Sequence, residues 1–412
     1  MDTSSRSYKK ALRHHLKSQQ NKAHENNPPL SPFRAAEKKF KSRFPPPDLT
    51  GVLDLGADRA GGWRGNPNVP GLSLREVRLK GGGKAYTFES IPGLVLLPCF
   101  VAPTTQRSLV TRCLKEHARF PNESNLDAHY QAPRNGLWND WERVVEQRER
   151  MADPGFDIEV ETKWKDDLPL EVYHPPDASR TLVENEPGSL DASDAKRAPM
   201  PSSTLPPSTV SQLVPKLRWS NIGLNYHWGT KSYDFERERV PFPEDIREIC
   251  VDAVKRVDWA DVWEGVADGM EWKDGVDWDI WEQTYEPDAG IINFYQSRDT
   301  LMGHVDRSEI SSTTPLVSIS LGNAAIFLIG GLSRDVEPIP ILLRSGDVVI
   351  MSGPGCRRAY HGVPRILENS TPAYLVEPGD KGRLVSEYIA NARINCNVRQ
   401  VFPSTRKDTN GA

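Results

Sequence analysis

From Ile291 onward the chain is a succession of short apolar runs: INFYQ, PLVSISLG, AAIFLIGG, PIPILLRSGDVVIMS, AYHGVPRIL and RINCNVRQVF. Gly, Ser and Asp separate them, and the SGD at 345–347 is a turn signal between two of them. Evenly spaced strands with such punctuation predict a sandwich or jelly roll. The fold class expected is therefore mainly β with flanking helices (α+β), a double-stranded β-helix core carrying an N-terminal helical extension.

Candidate metal ligands sit within this series. His304 and Asp306 lie two apart in NFYQSRDTLMGHVDRSE, at the end of a strand-like run, and His361 lies on a later strand of the same expected barrel. A lone His-x-Asp carries little weight, but two imidazoles and one carboxylate can cap one face of an iron(II) ion and leave the other open. Zinc uses the same residue types, so the trio by itself points to a metal more firmly than to iron.

A second constellation bears on that choice. On a strand of period two, Arg393, Asn395, Asn397 and Arg399 share one face, while Ile394, Cys396 and Val398 take the other. Asn293 and Tyr295 share a face in the same way. If both polar faces line the barrel, they form a dicarboxylate pocket beside the metal, where an arginine binds a carboxylate through two parallel hydrogen bonds. The alternative is that these residues face water.

The rest of the chain divides by composition. Residues 1–45 are basic and polar, which predicts a disordered arm able to touch nucleic acid, ending in a short helix within SPFRAAEKKFKSRF before the PPP at 45–47. A mitochondrial presequence would also be basic, but the apolar face here is only Ala11, Leu12 and Leu16. Residues 46–149 become globular, with IPGLVLLPCFVAP as a buried strand or loop and a helix over TTQRSLVTRCLKEHARF, an extension packed on the core. The stretch 150–212 is rich in Pro, Ser and acidic residues without periodicity, and is expected to be a disordered insert. The dioxygenase unit is expected over 213–403, with a tail at 404–412. Trp219, Tyr226 and Trp228 interleave with amide and basic groups, suited to stacking on an extruded base, though ordinary core aromatics would read the same. A helix follows over PFPEDIREICVDAVKRV, then an acidic, Trp-rich stretch at 257–283 that phosphate would repel.

Net charge of −4 means that any nucleic-acid footprint is local. Five scattered cysteines suggest reduced thiols rather than a disulfide framework. With no long apolar run, a membrane partner is not expected, and the nucleus, the cytoplasm and the mitochondrion remain open.

The motifs NFYQ…HVDRSE, SISLGNAAIFLIGGL, GDVVIMSG…YHGVPR and RINCNVRQ resemble, in order and spacing, the AlkB family of nucleic-acid dioxygenases, in particular its homologue one branch. The likeness extends upstream through LRWSNIGLNYHW and, more weakly, through IPGLVLLPCF and ESNLDAHY. It implies His304, Asp306 and His361 as iron ligands, with 2-oxoglutarate and oxygen as co-substrates. It further implies that Arg393 pairs with the distal carboxylate of 2-oxoglutarate beside Tyr295, and that Asn293, Asn395 and Arg399 orient the co-substrate. Trp219, Tyr226 and Trp228 fall in the nucleotide-recognition lid, and Arg334 matches a substrate-side arginine. Ser308 departs from members that carry a carboxylate there. The implied reaction is oxidative demethylation or hydroxylation of methylated bases in DNA or RNA, tRNA included. A protein substrate such as a histone, or a catalytically idle binding jelly roll, are the rival readings. No stable protein partner is inferred.

Overall fold

The computed structural model describes residues 6–22, 29–56, 62–163, 205–227, 232–235, 239–266, 270, 272, 276–306, 308–311, 313–377 and 382–403. Most of the expected 150–212 insert, at 164–204, and the 404–412 tail lie outside these residues.

Alternating apolar and polar residues give each long strand two unlike faces. Leu316–Gly322 pairs antiparallel with Ala392–Arg399, and the latter with Ala289–Gln296. The sheet they centre has eight strands in the order Leu74–Val77, Ala85–Phe88, Ile91–Leu97, Val348–Met351, Leu316–Gly322, Ala392–Arg399, Ala289–Gln296 and Trp219–Gly223. A four-stranded sheet runs Leu301–His304, His361–Ile366, Ala325–Ile329 and Ile339–Leu343.

Three apolar layers follow from those faces. Between the sheets, Leu94, Leu96, Leu316, Val349 and Met351 meet Ala325, Phe327, Ile329 and Val363. Behind the large sheet, Val317, Ile319, Ile394, Cys396 and Val398 are covered by the helices Pro103–Lys115, Glu244–Arg256 and Arg383–Asn391. Behind the small sheet, Ile326, Leu328 and Leu342 lie with Phe33 and Phe40 of the helix Pro32–Lys41. Each such Leu, Ile, Val or Phe contributes on the order of 1.5–3 kcal/mol relative to exposure.

The tryptophans of the acidic stretch belong to the second layer. Trp259 meets Trp281 edge-on with centroids 5.0 Å apart, and Trp263 meets Trp272 at 5.1 Å. Trp263 fills the space over Gly93 (φ +89°), where a Cβ would lie 2.1 Å from the Ser352 carbonyl and 2.7 Å from the indole. Asp261 binds Arg75 of the edge strand and accepts the Arg78 amide proton. Its acids therefore serve the edge of the large sheet.

Four expectations need correction. The arm at 1–45 holds the expected short helix at Pro32–Lys41, but that helix is part of the core, and a further helix, Arg6–Lys22, precedes it where disorder was expected. The 46–149 extension adds three strands to the large sheet before its helices Pro103–Lys115 and Leu137–Met151, so it is not chiefly helical. Because Ile91–Leu97 pairs with Val348–Met351, the catalytic unit does not begin at 213. The ends of the 150–212 stretch are also structured: Glu159–Val160 pairs with Ser208–Thr209, and Val160 and Val210 are buried. Apolar residues at those ends find neighbours in the core, which the Pro- and Ser-rich middle lacks. Among the described residues no helix is long and apolar enough to cross a membrane.

Candidate active site

The small sheet brings the metal-binding trio together. His304 ends one strand and pairs with His361, which begins the next. Their ring centroids are 4.5 Å apart, and His304 Nε2 lies 3.6 Å from Asp306 Oδ1. One donor atom from each of the three residues lies within 4.8 Å of the others.

The ring orientations follow from short local bonds. His304 Nδ1 is 2.9 Å from the Met302 carbonyl, and His361 Nδ1 is 3.0 Å from that of Ala359. A carbonyl only accepts, so each Nδ1 carries the proton and each Nε2 keeps its lone pair for a metal. Burial pushes the His361 imidazole down to about 4, which keeps it neutral. Burial alone would raise the Asp306 carboxyl, but the Arg399 guanidinium, with the two histidines, holds it well below the ordinary carboxylate range. Two imidazoles and a carboxylate fit the ligand set of iron(II).

The helix Pro32–Lys41 supports this strand from behind. Glu37 accepts the Gly303 amide proton, and Phe33 lies so close that a Cβ at Gly303 would be 2.4 Å from its ring. The residue before His304 is thereby fixed.

The large sheet supplies the cationic half. Arg393, opposite Tyr295, is 1% exposed. It donates to Ser320 Oγ (2.8 Å) and the Asn323 carbonyl (3.2 Å), while its Nε has no partner. Burial pushes its pKa down to about 10, and among the described residues no carboxylate is paired with it. A buried arginine without a counter-charge is costly, and a ligand carboxylate supplies what is missing. Asn395 donates to Ser318 Oγ (2.8 Å), Asn293 stands opposite it in the neighbouring strand, and the buried Asn397 Oδ1 is unpartnered. A polar, cationic floor with unfilled hydrogen-bonding capacity fits 2-oxoglutarate.

Arg399 joins the two halves. Its Nη2 lies 3.4 Å from Asp306 Oδ2, and its Nη1 lies 3.2 Å from both the Tyr233 hydroxyl and Glu309 Oε1. Arg357 approaches the other Glu309 oxygen at 3.7 Å.

Of the proposed lid residues, Tyr226 reaches the site: its hydroxyl is 3.4 Å from Ser308 Oγ, and its ring meets Tyr233 edge-on at 5.3 Å. Trp219 begins the edge strand opposite Asn293, on the same face. Trp228 lies outside the described residues. Arg334 is exposed at the rim, donating to the Gly303 carbonyl (2.8 Å) over the Tyr360 ring. Sequence reasoning missed Ser318, Ser320, Tyr233, Glu309 and Glu37. The two serines alternate within SISLG, a legible signal; the others become neighbours only through the fold.

Residues 178–399 match the 2OG-Fe(II) oxygenase superfamily. The tRNA demethylase abh1 of Schizosaccharomyces pombe is 32% identical, over 90% of this chain and 96% of its own. The nucleic acid dioxygenase ALKBH1 of Mus musculus is 30% identical over 77% of this chain and 67% of its own. The DNA N(6)-methyladenine demethylase ALKBH1A of Arabidopsis thaliana is 29% identical over 90% and 96%. With the His304, Asp306 and His361 trio in place, this chain belongs to the AlkB family of iron(II)- and 2-oxoglutarate-dependent dioxygenases, on its ALKBH1 branch.

Proposed function

We propose that this enzyme removes or hydroxylates methyl groups on the bases of DNA or RNA, tRNA included. The observation that carries this reading is Tyr226, whose hydroxyl stands beside Ser308, two residues past the ligand Asp306. The buried Tyr233 braces its ring edge-on. The half-buried Tyr226 ring offers an extruded base a surface to stack on, worth about 1–3 kcal/mol per base. The printed activities of the relatives, on tRNA and on DNA methyladenine, support the same substrate class.

The residues divide the work. Arg393, aimed by Ser320, clamps the distal carboxylate of 2-oxoglutarate, and Asn293, Tyr295 and Asn395 line the pocket beside it. Tyr295 stays protonated because burial pushes its hydroxyl up. Arg399 keeps Asp306 ionised and, with Tyr233 and Glu309, fixes its position. Trp219, Tyr226, Trp228 and Arg334 receive the nucleotide. When bound, iron(II) with 2-oxoglutarate and oxygen supplies the oxidation of a methyl group, while the protein supplies binding, orientation and electrostatics. A hydroxymethyl group formed on nitrogen collapses to formaldehyde; one formed on carbon persists.

The test is nucleoside mass spectrometry on total tRNA and genomic DNA treated with purified protein, iron(II), ascorbate and 2-oxoglutarate. A methylated nucleoside should fall, or an oxidised one appear, only with the co-substrate. Succinate formation with both pools unchanged would overturn the nucleic-acid reading.

A further inference from the structure

Positive charge is unevenly placed on this molecule. The chain carries a net −4, yet the helix Arg6–Lys22 holds six Lys or Arg residues and no Asp or Glu. Tyr8 seats that helix edge-on against Phe44 with centroids 5.3 Å apart, beside Arg43. Arg43 in turn lines a pocket of about 330 Å³ with Lys41, Arg298 and Arg365.

The nearby carboxylates are already engaged. Glu368 is shared between Arg43 (2.5 Å) and Arg365 (3.1 Å). Asp299 accepts the Gln296 amide proton (2.8 Å) and faces Arg218 at 3.3 Å. Lys41 and Arg298 are exposed, and among the described residues no carboxylate is paired with either. Arg365 is only 5% exposed, and its buried Nε has no hydrogen-bond partner. A guanidinium in that state has donor capacity left for an anion.

The pocket is distinct from the iron site. Arg365 lies four residues beyond His361, about 13 Å along the strand, and pairs with Ile326 of the outer layer rather than facing the barrel interior. The described tryptophans of the acidic 257–283 stretch pack instead in the layer behind the large sheet.

We infer that this pocket, continued by the Arg6–Lys22 helix, is a phosphate-binding exosite that holds the sugar–phosphate backbone of the nucleic acid whose base enters the iron site. The inference rests on the nucleic-acid reading above. A polyanion fits better than an anionic membrane: the helix has only Tyr8, Ala11, Leu12 and Leu16 as apolar residues, and Tyr8 is spent on Phe44. That face is too narrow to enter a bilayer surface.

The test uses the full chain, fluorescein-labelled single-stranded RNA and a tRNA transcript, with Kd read by anisotropy across a series of KCl concentrations. The double variant K41E/R298E changes two exposed side chains. It should bind at least about tenfold more weakly and lower the slope of log K against log salt by about 2. Succinate release without nucleic acid should stay at the wild-type rate. Replacing Lys9, Lys10 and Arg13 with Gln should weaken binding about three- to tenfold. A double variant that matches wild type in affinity and slope overturns the exosite alone. A wild-type protein that binds neither RNA, nor a labelled single-stranded DNA of the same length run alongside, overturns the exosite together with the functional reading. If the double variant loses binding to phosphatidylserine vesicles but keeps RNA, the patch is a membrane contact and the inference fails.

Discussion

The four-stranded sheet carries the histidines of the active site and the eight-stranded sheet the cationic pocket, and their polar atoms are satisfied differently. Each histidine is held by a carbonyl two residues earlier in its own segment, so the orientation of both rings is set by short-range bonds. The pocket half is assembled across strands and left incomplete: the Arg393 Nε–H is buried without a partner. A metal needs free lone pairs on rigid ligands, whereas a dicarboxylate needs donors that nothing in the protein has used up. The difference implies that the two halves can be damaged separately.

The largest effect should come from Asp306→Ala, which removes the anionic ligand. Turnover should fall by roughly 10³-fold or more, about 4 kcal/mol, with far-UV circular dichroism unchanged. Substantial residual activity would remove Asp306 from the ligand set. Arg393→Ala should raise the 2-oxoglutarate KM about 30- to 1,000-fold, on the order of 2–4 kcal/mol, and Arg393→Lys should recover only part of it. Metal affinity measured by titration should not change in either variant. Ser320→Ala removes one bond that aims Arg393, so the same KM should rise about three- to tenfold, near 1 kcal/mol, and restoring the hydroxyl with Ser320→Thr should recover part of it.

The last effect is on stability rather than turnover, at Asp288, whose amide donates to the Arg399 carbonyl. Burial pushes the Asp288 carboxyl from the ordinary 3.8 up to about 6, although the Val401 and Phe402 amides donate to it. Between those values the folded protein binds a proton that the unfolded chain has released. Stability from this group is therefore greatest at the acid end and is lost as pH rises through about 6, by on the order of 1–3 kcal/mol. The Tm difference between wild type and Asp288→Asn should move in the variant's favour across that window. A difference that stays flat with pH would show that Asp288 does not titrate there.

The same contrast governs what was legible in the sequence. His304, Asp306 and His361 were visible because a strand, a glycine and a turn place them through local chain geometry. The shared face of Arg393, Asn395 and Arg399 was visible because period two needs no partner strand. Ser320 becomes a neighbour of Arg393 only through the register that sets it against Asn395. Tyr233, Glu309 and Glu37 come from loops and a distant helix, and no pattern in one dimension marks them. The strands Leu74–Val77 and Ala85–Phe88 were missed because each is four residues long, too short for alternation to show. The Trp-rich stretch is structural: its indoles pack in the layer behind the large sheet, and its Asp258 and Asp261 hold Arg78 and Arg75 at that sheet's edge.

The most direct test of the two-half account is calorimetric titration of 2-oxoglutarate into manganese(II)-loaded protein without oxygen, comparing wild type with Arg393→Ala. The account predicts unchanged manganese affinity and a 2-oxoglutarate Kd at least about 30-fold weaker in the variant. A variant that binds 2-oxoglutarate as tightly as wild type would contradict it, because Arg393 would then not be the anchor that its burial without a paired carboxylate implies.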